Sequence, residues 1–147
     1  MPFLDDTLLR QIIMDHYENP RNHKLTDDDS YVTVNMDLDT CVDNIDLQAK
    51  ISDGTIEDIR FDGEACAIST ASTSIMSELL IGKSLEEAKR IIDNFNNMIY
   101  EKEYDADIIE EAIAFMNTHK QANRIKCATL GWNGIEKIID ASEGGKK

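Results

Sequence analysis

The sequence has little of what punctuates or staples a chain. Two prolines and seven glycines in 147 residues exclude collagen-like and low-complexity character. No apolar run approaches the roughly 20 residues that a bilayer-spanning helix needs. The first residues, Met1-Pro2-Phe3-Leu4-Asp5-Asp6, lack the basic-then-apolar order of a secretory signal, so a cytoplasmic protein is expected. Positive charge is scarce: 15 Lys plus Arg face 29 Asp plus Glu, a formal net charge of -14. Such a chain repels phosphate backbones and anionic lipid, which makes nucleic acid and membranes poor partners. Only three cysteines occur, Cys41, Cys66 and Cys127. Their odd number and wide spacing exclude a disulfide framework, a Cys-x-x-Cys redox centre and a simple zinc ribbon.

What is present reads as one globular domain over residues 1–147, with 41% hydrophobic and 30% charged residues. Leu8, Leu9, Ile12, Ile13 and Tyr17 recur at helical spacing, and this helix should stop before Pro20. Asn19 to Ser30 is polar and predicts a loop. Val32, Val34, Met36 and Leu38 then alternate with polar residues, and Ile45, Leu47, Ala49 and Ile51 repeat the pattern, giving two half-buried strands. Ser52-Asp53-Gly54-Thr55 supplies a turn into a third strand, Ile56 to Phe61, where the uneven spacing of Ile56 and Ile59 predicts a bulge or a shifted edge. From Ala67 onward the chain is helical: Ala67 to Ile81 with Gly82 at its end, a helix opened by the capping box Ser84–Glu87, one over about Ala106 to Asn117, and a last one from near Gln121 to Ala141 with a frayed tail after it. Trp132 and Met76 are expected in the core. The fold class is α+β with an antiparallel meander.

The chemistry-bearing residues lie at element ends. Cys41 and Asp43, two apart in extended chain, point the same way. Cys66 precedes a helix whose unpaired amides favour a thiolate. Cys127 follows Arg124 and Lys126, the single basic cluster on an acidic chain. If the last helix packs its start against the hairpin end of the sheet, three sulfurs and a carboxylate meet, a set that suits Zn²⁺ or iron–sulfur chemistry. The plainer reading treats the cysteines as small buried hydrophobes, Arg124 and Lys126 as a solvated helix face, and His16, His23 and His119 as surface residues. Spacing alone leaves both readings open.

Four stretches decide between them: Ile13-Met14-Asp15-His16-Tyr17-Glu18-Asn19-Pro20-Arg21-Asn22, Thr40-Cys41-Val42-Asp43, Phe61-Asp62-Gly63-Glu64-Ala65-Cys66-Ala67-Ile68-Ser69-Thr70-Ala71-Ser72, and Arg124-Ile125-Lys126-Cys127-Ala128-Thr129-Leu130-Gly131-Trp132. In order and across nearly the whole chain, they resemble the IscU/NifU-amino-domain family of iron–sulfur assembly proteins. Lys126 before the third cysteine, and the long stretch between Cys66 and Cys127, resemble its SufU branch. The resemblance implies a three-stranded antiparallel sheet with helices on one face and one end, as in SufE/IscU-like folds. It implies Zn²⁺ held by Cys41, Asp43, Cys66 and Cys127, with Cys41 and Arg124 as the catalytic residues. It also implies sulfur transfer from a PLP-dependent, SufS-type cysteine desulfurase onto Cys41, then onward to a SufBCD-type scaffold. The alternatives are a non-catalytic scaffold carrying a transient [2Fe–2S] cluster, against which Lys126 argues, and a purely structural zinc. The chain departs from the family in lacking Pro and Gly around Cys41, and in having Ala65, Gly131 and Gly134 where the family commonly has Gly, Ala and Ala.

Overall fold

The computed structural model describes residues 6–37 and 43–144. Its elements are α1 (Asp6–Glu18), β1 (Val32–Asp37), β2 (Asn44–Ser52), β3 (Thr55–Glu64), α2 (Ala67–Leu80), α3 (Leu85–Ile99), α4 (Ala106–Ile109) and α5 (Ala122–Gly144), with 3₁₀ turns at Glu110–Phe115 and Thr118–Lys120 before α5. The predicted Cys41 and Leu38 lie outside the described residues.

The strands form one antiparallel sheet in the order β1-β2-β3. Period-two alternation puts Ile45, Leu47 and Ala49 of β2 on the buried face, joined there by Ile59 and Phe61 of β3. Between β2 and β3, Asp53 and Gly54 both take positive φ, 52° and 76°, the backbone of a tight hairpin turn that matches strand twist. Ile51 pairs with Ile56 but Lys50 pairs with Asp58. Glu57 is therefore the extra residue of a bulge, the first of the two irregularities that the uneven isoleucine spacing allows. The polar segment after α1 crosses the other face: Thr26 N–H donates to Gln48 Oε1 (2.8 Å), and Gln48 Nε2 donates to the Thr26 carbonyl (2.9 Å). These two bonds bury Gln48 without orphaning its amide.

Helices cover the apolar face. α2 contacts α1, α5 and β3, and α5 runs across β1 and β2. The core centres on Trp132 of α5, stacked on Phe95 of α3 with ring centroids 4.0 Å apart. Trp132 Nε1 donates to Ser72 Oγ (3.0 Å), so the largest core side chain brings no unsatisfied donor inside. Met76 is buried as expected.

Several expectations need correction. The predicted helix over Ala106 to Asn117 is α4 followed by a 3₁₀ segment, broken at Glu110 with φ 44°. Ile109, Ala112, Ile113, Ala114 and Phe115 are all buried, and a run of four consecutive buried residues is wider than one face of an α-helix. The last helix continues through Ser142 to Gly144. Val32 and Tyr17, expected to face inward, are both 45% exposed. Val32 starts an edge strand, and Gly134 of α5 approaches that strand at Met36, near its other end. His16 is not a surface residue; it is fully buried.

The two glycines of α5 are close-approach positions. A Cβ on Gly134 would come within 2.9 Å of Leu47 Cδ2, and one on Gly131 within 2.4 Å of Thr73 Oγ1 and 3.1 Å of Thr73 Cβ. Rotating Thr73 cannot relieve contacts that involve its own Cβ. Gly131→Ala should therefore destabilise the protein by about 1–2 kcal/mol despite the gain in helix propensity, because overpacking outweighs it. Thr73→Ala in the same chain should restore most of that loss, since the buried Thr73 hydroxyl has no hydrogen-bond partner to forfeit. Urea denaturation of the two single variants and the double variant measures the coupling.

Candidate metal centre

Asp43 stands immediately before β2, and Cys66 two residues after β3, so the antiparallel pairing of Asn44 with Glu64 brings them together. The close approach needs Gly63: at φ 134° a Cβ there would lie 2.3 Å from the Asn44 carbonyl oxygen. Any side chain would push β3 away from the strand that follows Asp43.

Cys66 is the N-cap of α2, in extended conformation, and its Sγ accepts from Ser69 N–H at 3.4 Å. A sulfur here takes the place that a Ser or Asp oxygen holds at most N-caps. Its own N–H donates to Asp43 Oδ1 at 2.7 Å. The Ser69 hydroxyl donates to Asp43 Oδ2 and lies 2.9 Å from the Cys127 carbonyl oxygen. Cys66 Sγ is 3.6 Å from Asp43 Oδ2. The fully buried Asp43 carboxylate is thus held on both oxygens, while Cys66 and Cys127 remain half-buried. One carboxylate oxygen, Cys66 Sγ and Cys127 Sγ all lie within 4.8 Å of one another. Loss of solvent around Cys127, then the neighbouring Cys66 and Asp43, push its thiol well above the ordinary range.

Of the predicted site residues, Asp43, Cys66 and Cys127 converge, and Cys41 lies outside the described residues. Arg124 and Lys126 are exposed on the first turns of α5, and among the described residues neither side chain bonds to the three ligands. Arg124 instead lines a groove of about 590 Å³ with Arg10, Lys120, Ile13 and Ile68. Ser69 was missed by sequence reasoning. The available signal was six Ser or Thr residues among the 14 of α2, every one of them buried, a pattern that demands partners.

The model of the NifU-like N terminal domain matches residues 8–145. The chain belongs to this family. Among curated NifU-like relatives, the zinc-dependent sulfurtransferase SufU of Bacillus subtilis is 43% identical over 141 residues, covering 95% of each chain. The iron–sulfur cluster assembly scaffold protein IscU of Streptococcus pyogenes is 39% identical, covering 92% of this chain and 84% of its own. The crystal structure of SufU from Fervidobacterium islandicum superposes with a TM-score of 0.77 at 31% identity, over 86% of this chain and 92% of that one. The NifU-like α+β fold is therefore that of its relatives, and among the described residues no helix is long and apolar enough to cross a membrane.

The Cys127 environment sets a pH dependence for the metal-free protein. The folded state holds the Cys127 proton above the pH near 9.0 at which an ordinary thiol releases it. This contribution to stability is complete below that pH and is lost as pH rises through and beyond it. Denaturant midpoints of the metal-free protein from about pH 7 to about pH 10 should fall at the alkaline end, and Cys127→Ser should flatten that fall.

Proposed function

We propose that this chain is a zinc-binding sulfur acceptor in iron–sulfur cluster assembly. The observation that carries the reading is the convergence of Asp43, Cys66 and Cys127 within 4.8 Å. The donor set fits Zn²⁺. Thiolates at about 2.3 Å from a tetrahedral ion lie about 3.8 Å apart, inside the observed spread, and Cys41 supplies the fourth ligand. Bound zinc keeps its thiolates ionised at neutral pH. Support for sulfur transfer comes from the Bacillus subtilis relative, whose name states that activity.

In this reading Cys66, Cys127 and Asp43 are the fixed ligands, tied to α2, α5 and β2, and Cys41 is the acceptor. Its thiolate attacks the outer sulfur of a desulfurase persulfide; the new S–S bond leaves Cys41 as a persulfide, and the desulfurase cysteine departs as a thiolate. The sulfur donor is a PLP-dependent, SufS-type cysteine desulfurase in the cytoplasm, and the recipient is a SufBCD-type scaffold. Arg124 and Lys126 offset the residual negative charge of the ligand set near the groove mouth. Ser69 is a positioning residue that orients the Asp43 carboxylate.

Purified full-length protein should contain one zinc per chain, with Cys66→Ala and Cys127→Ala losing both metal and fold stability. Ser69→Ala should retain the fold and weaken zinc about tenfold in chelator competition. After incubation with desulfurase and cysteine, peptide mass spectrometry should find the persulfide on Cys41, and Cys41→Ser should accept none. A persulfide appearing first on Cys66 or Cys127, or a brown cluster in place of zinc in anaerobically purified protein, would favour the scaffold reading instead.

A further inference from the structure

A second cluster of ligating groups lies toward the other end of α2, built from residues that the proposed sulfur chemistry does not use. His16 of α1 is fully buried, and its Nδ1 lies 2.8 Å from Ser74 Oγ. Its Nε2 is buried and has no hydrogen-bond partner. That atom is aimed between two carboxylates, 3.4 Å from Glu111 Oε2 and 3.9 Å from Glu78 Oε1. One ligand atom from each of the three falls within a 4.8 Å cluster.

We propose that His16, Glu78 and Glu111 form a second metal site, for a divalent first-row ion of the Zn²⁺, Mn²⁺ or Fe²⁺ class. Ligand atoms about 2.1 Å from one ion lie about 3.0–3.4 Å apart, so the Nε2–Glu111 separation already matches, whereas 3.4 Å is long for an N–H···O hydrogen bond. Ser74 Oγ can accept Nδ1–H as well as the Arg21 N–H that it takes at 2.8 Å. With the proton on Nδ1, the Nε2 lone pair faces the carboxylates, the outer arrangement found around metal-bound imidazoles. Without a cation, a lone pair facing two carboxylates is repulsive. One imidazole and two carboxylates suit harder ions than the thiolate-rich centre does. Arg21 Nε, 3.7 Å from Glu78 Oε1, takes up only part of the negative charge. Glu78 and Glu111 are about half exposed, 47% and 54%, which leaves an entry path and open positions for water. The three ligands belong to α1, α2 and the 3₁₀ segment after α4, so the ion ties these elements together.

The test uses full-length protein loaded with one equivalent of zinc, titrated with Mn²⁺ and followed by amide NMR. Selective broadening at His16, Ser74 and Glu111 is the expected result, together with a higher melting temperature. Glu111→Gln, a change at a half-exposed position, should keep the fold by circular dichroism and weaken Mn²⁺ at least tenfold. Broadening spread over the acidic surface, or a titration unchanged in Glu111→Gln, would overturn the site and leave a histidine ion pair in its place. Zinc content at the cysteine centre is read separately, so neither outcome bears on sulfur transfer.

Discussion

Burying a hydroxyl without a partner costs about 1–3 kcal/mol, and α2 buries a whole row of them. α1, the loop after it, Asp43 and α5 each answer a specific oxygen of this helix. Ser69 reaches Asp43 and the Cys127 carbonyl, Ser72 donates to the Ala128 carbonyl and accepts from Trp132, and Ser77 donates to the Ser74 carbonyl and accepts from Asn22. Ser74 meets His16 and Arg21. An apolar helix would let α1 and α5 slide along it; hydroxyls at fixed intervals allow one register. Thr73 is the exception that shows the cost, its unpartnered hydroxyl pressed against the bare backbone of Gly131.

That register places the ligands. The amino-terminal end of α2 ties together the hairpin residue Asp43 and the first turns of α5, so a carboxylate from the sheet and sulfurs from two helices meet over one serine. The carboxylate is buried and held while the sulfurs stay half open. Those are the separate requirements of a ligand set that must keep its shape and still meet a second protein. Gly63 lets the sheet close on the site from below, and Cys66 serves both as helix cap and as ligand, so its backbone and side chain are fixed by the same turn.

Much of this was legible in the sequence because short-range rules carried it. Period-two alternation gives the three strands, Asp53-Gly54 the turn, the uneven Ile56–Ile59 spacing the bulge at Glu57, and Ser84–Glu87 the cap of α3. The convergence of Asp43, Cys66 and Cys127 came from family resemblance rather than spacing, since the ligands lie on elements that only the tertiary fold brings together. The failures share a cause. Residues 109–115 looked like an amphipathic helix until burial on more than one face required a tighter turn, and His16 looked exposed because nothing local announces Ser74, 58 residues away. Arg124, three residues before Cys127, shares a groove with Arg10 of α1, a neighbour that sequence distance does not announce.

The charge distribution follows from the same packing. In a chain of net charge -14 most cations should find acidic partners, and Arg21, between Asp15 and Glu78, does so. Arg10, Lys120 and Arg124, which share the groove beside Cys66, form no ion pair among the described residues. Unpaired cations collected in a concave wall focus their field there, while the acidic exterior repels other anions everywhere else. Approach by an anionic group is therefore favoured at this groove, whose lining runs through Ala67, the residue after Cys66, and a basic protein surface is drawn to the acidic faces. The field orients an encounter before any contact forms, and screening by salt should weaken that orientation without touching the ligands held beneath it.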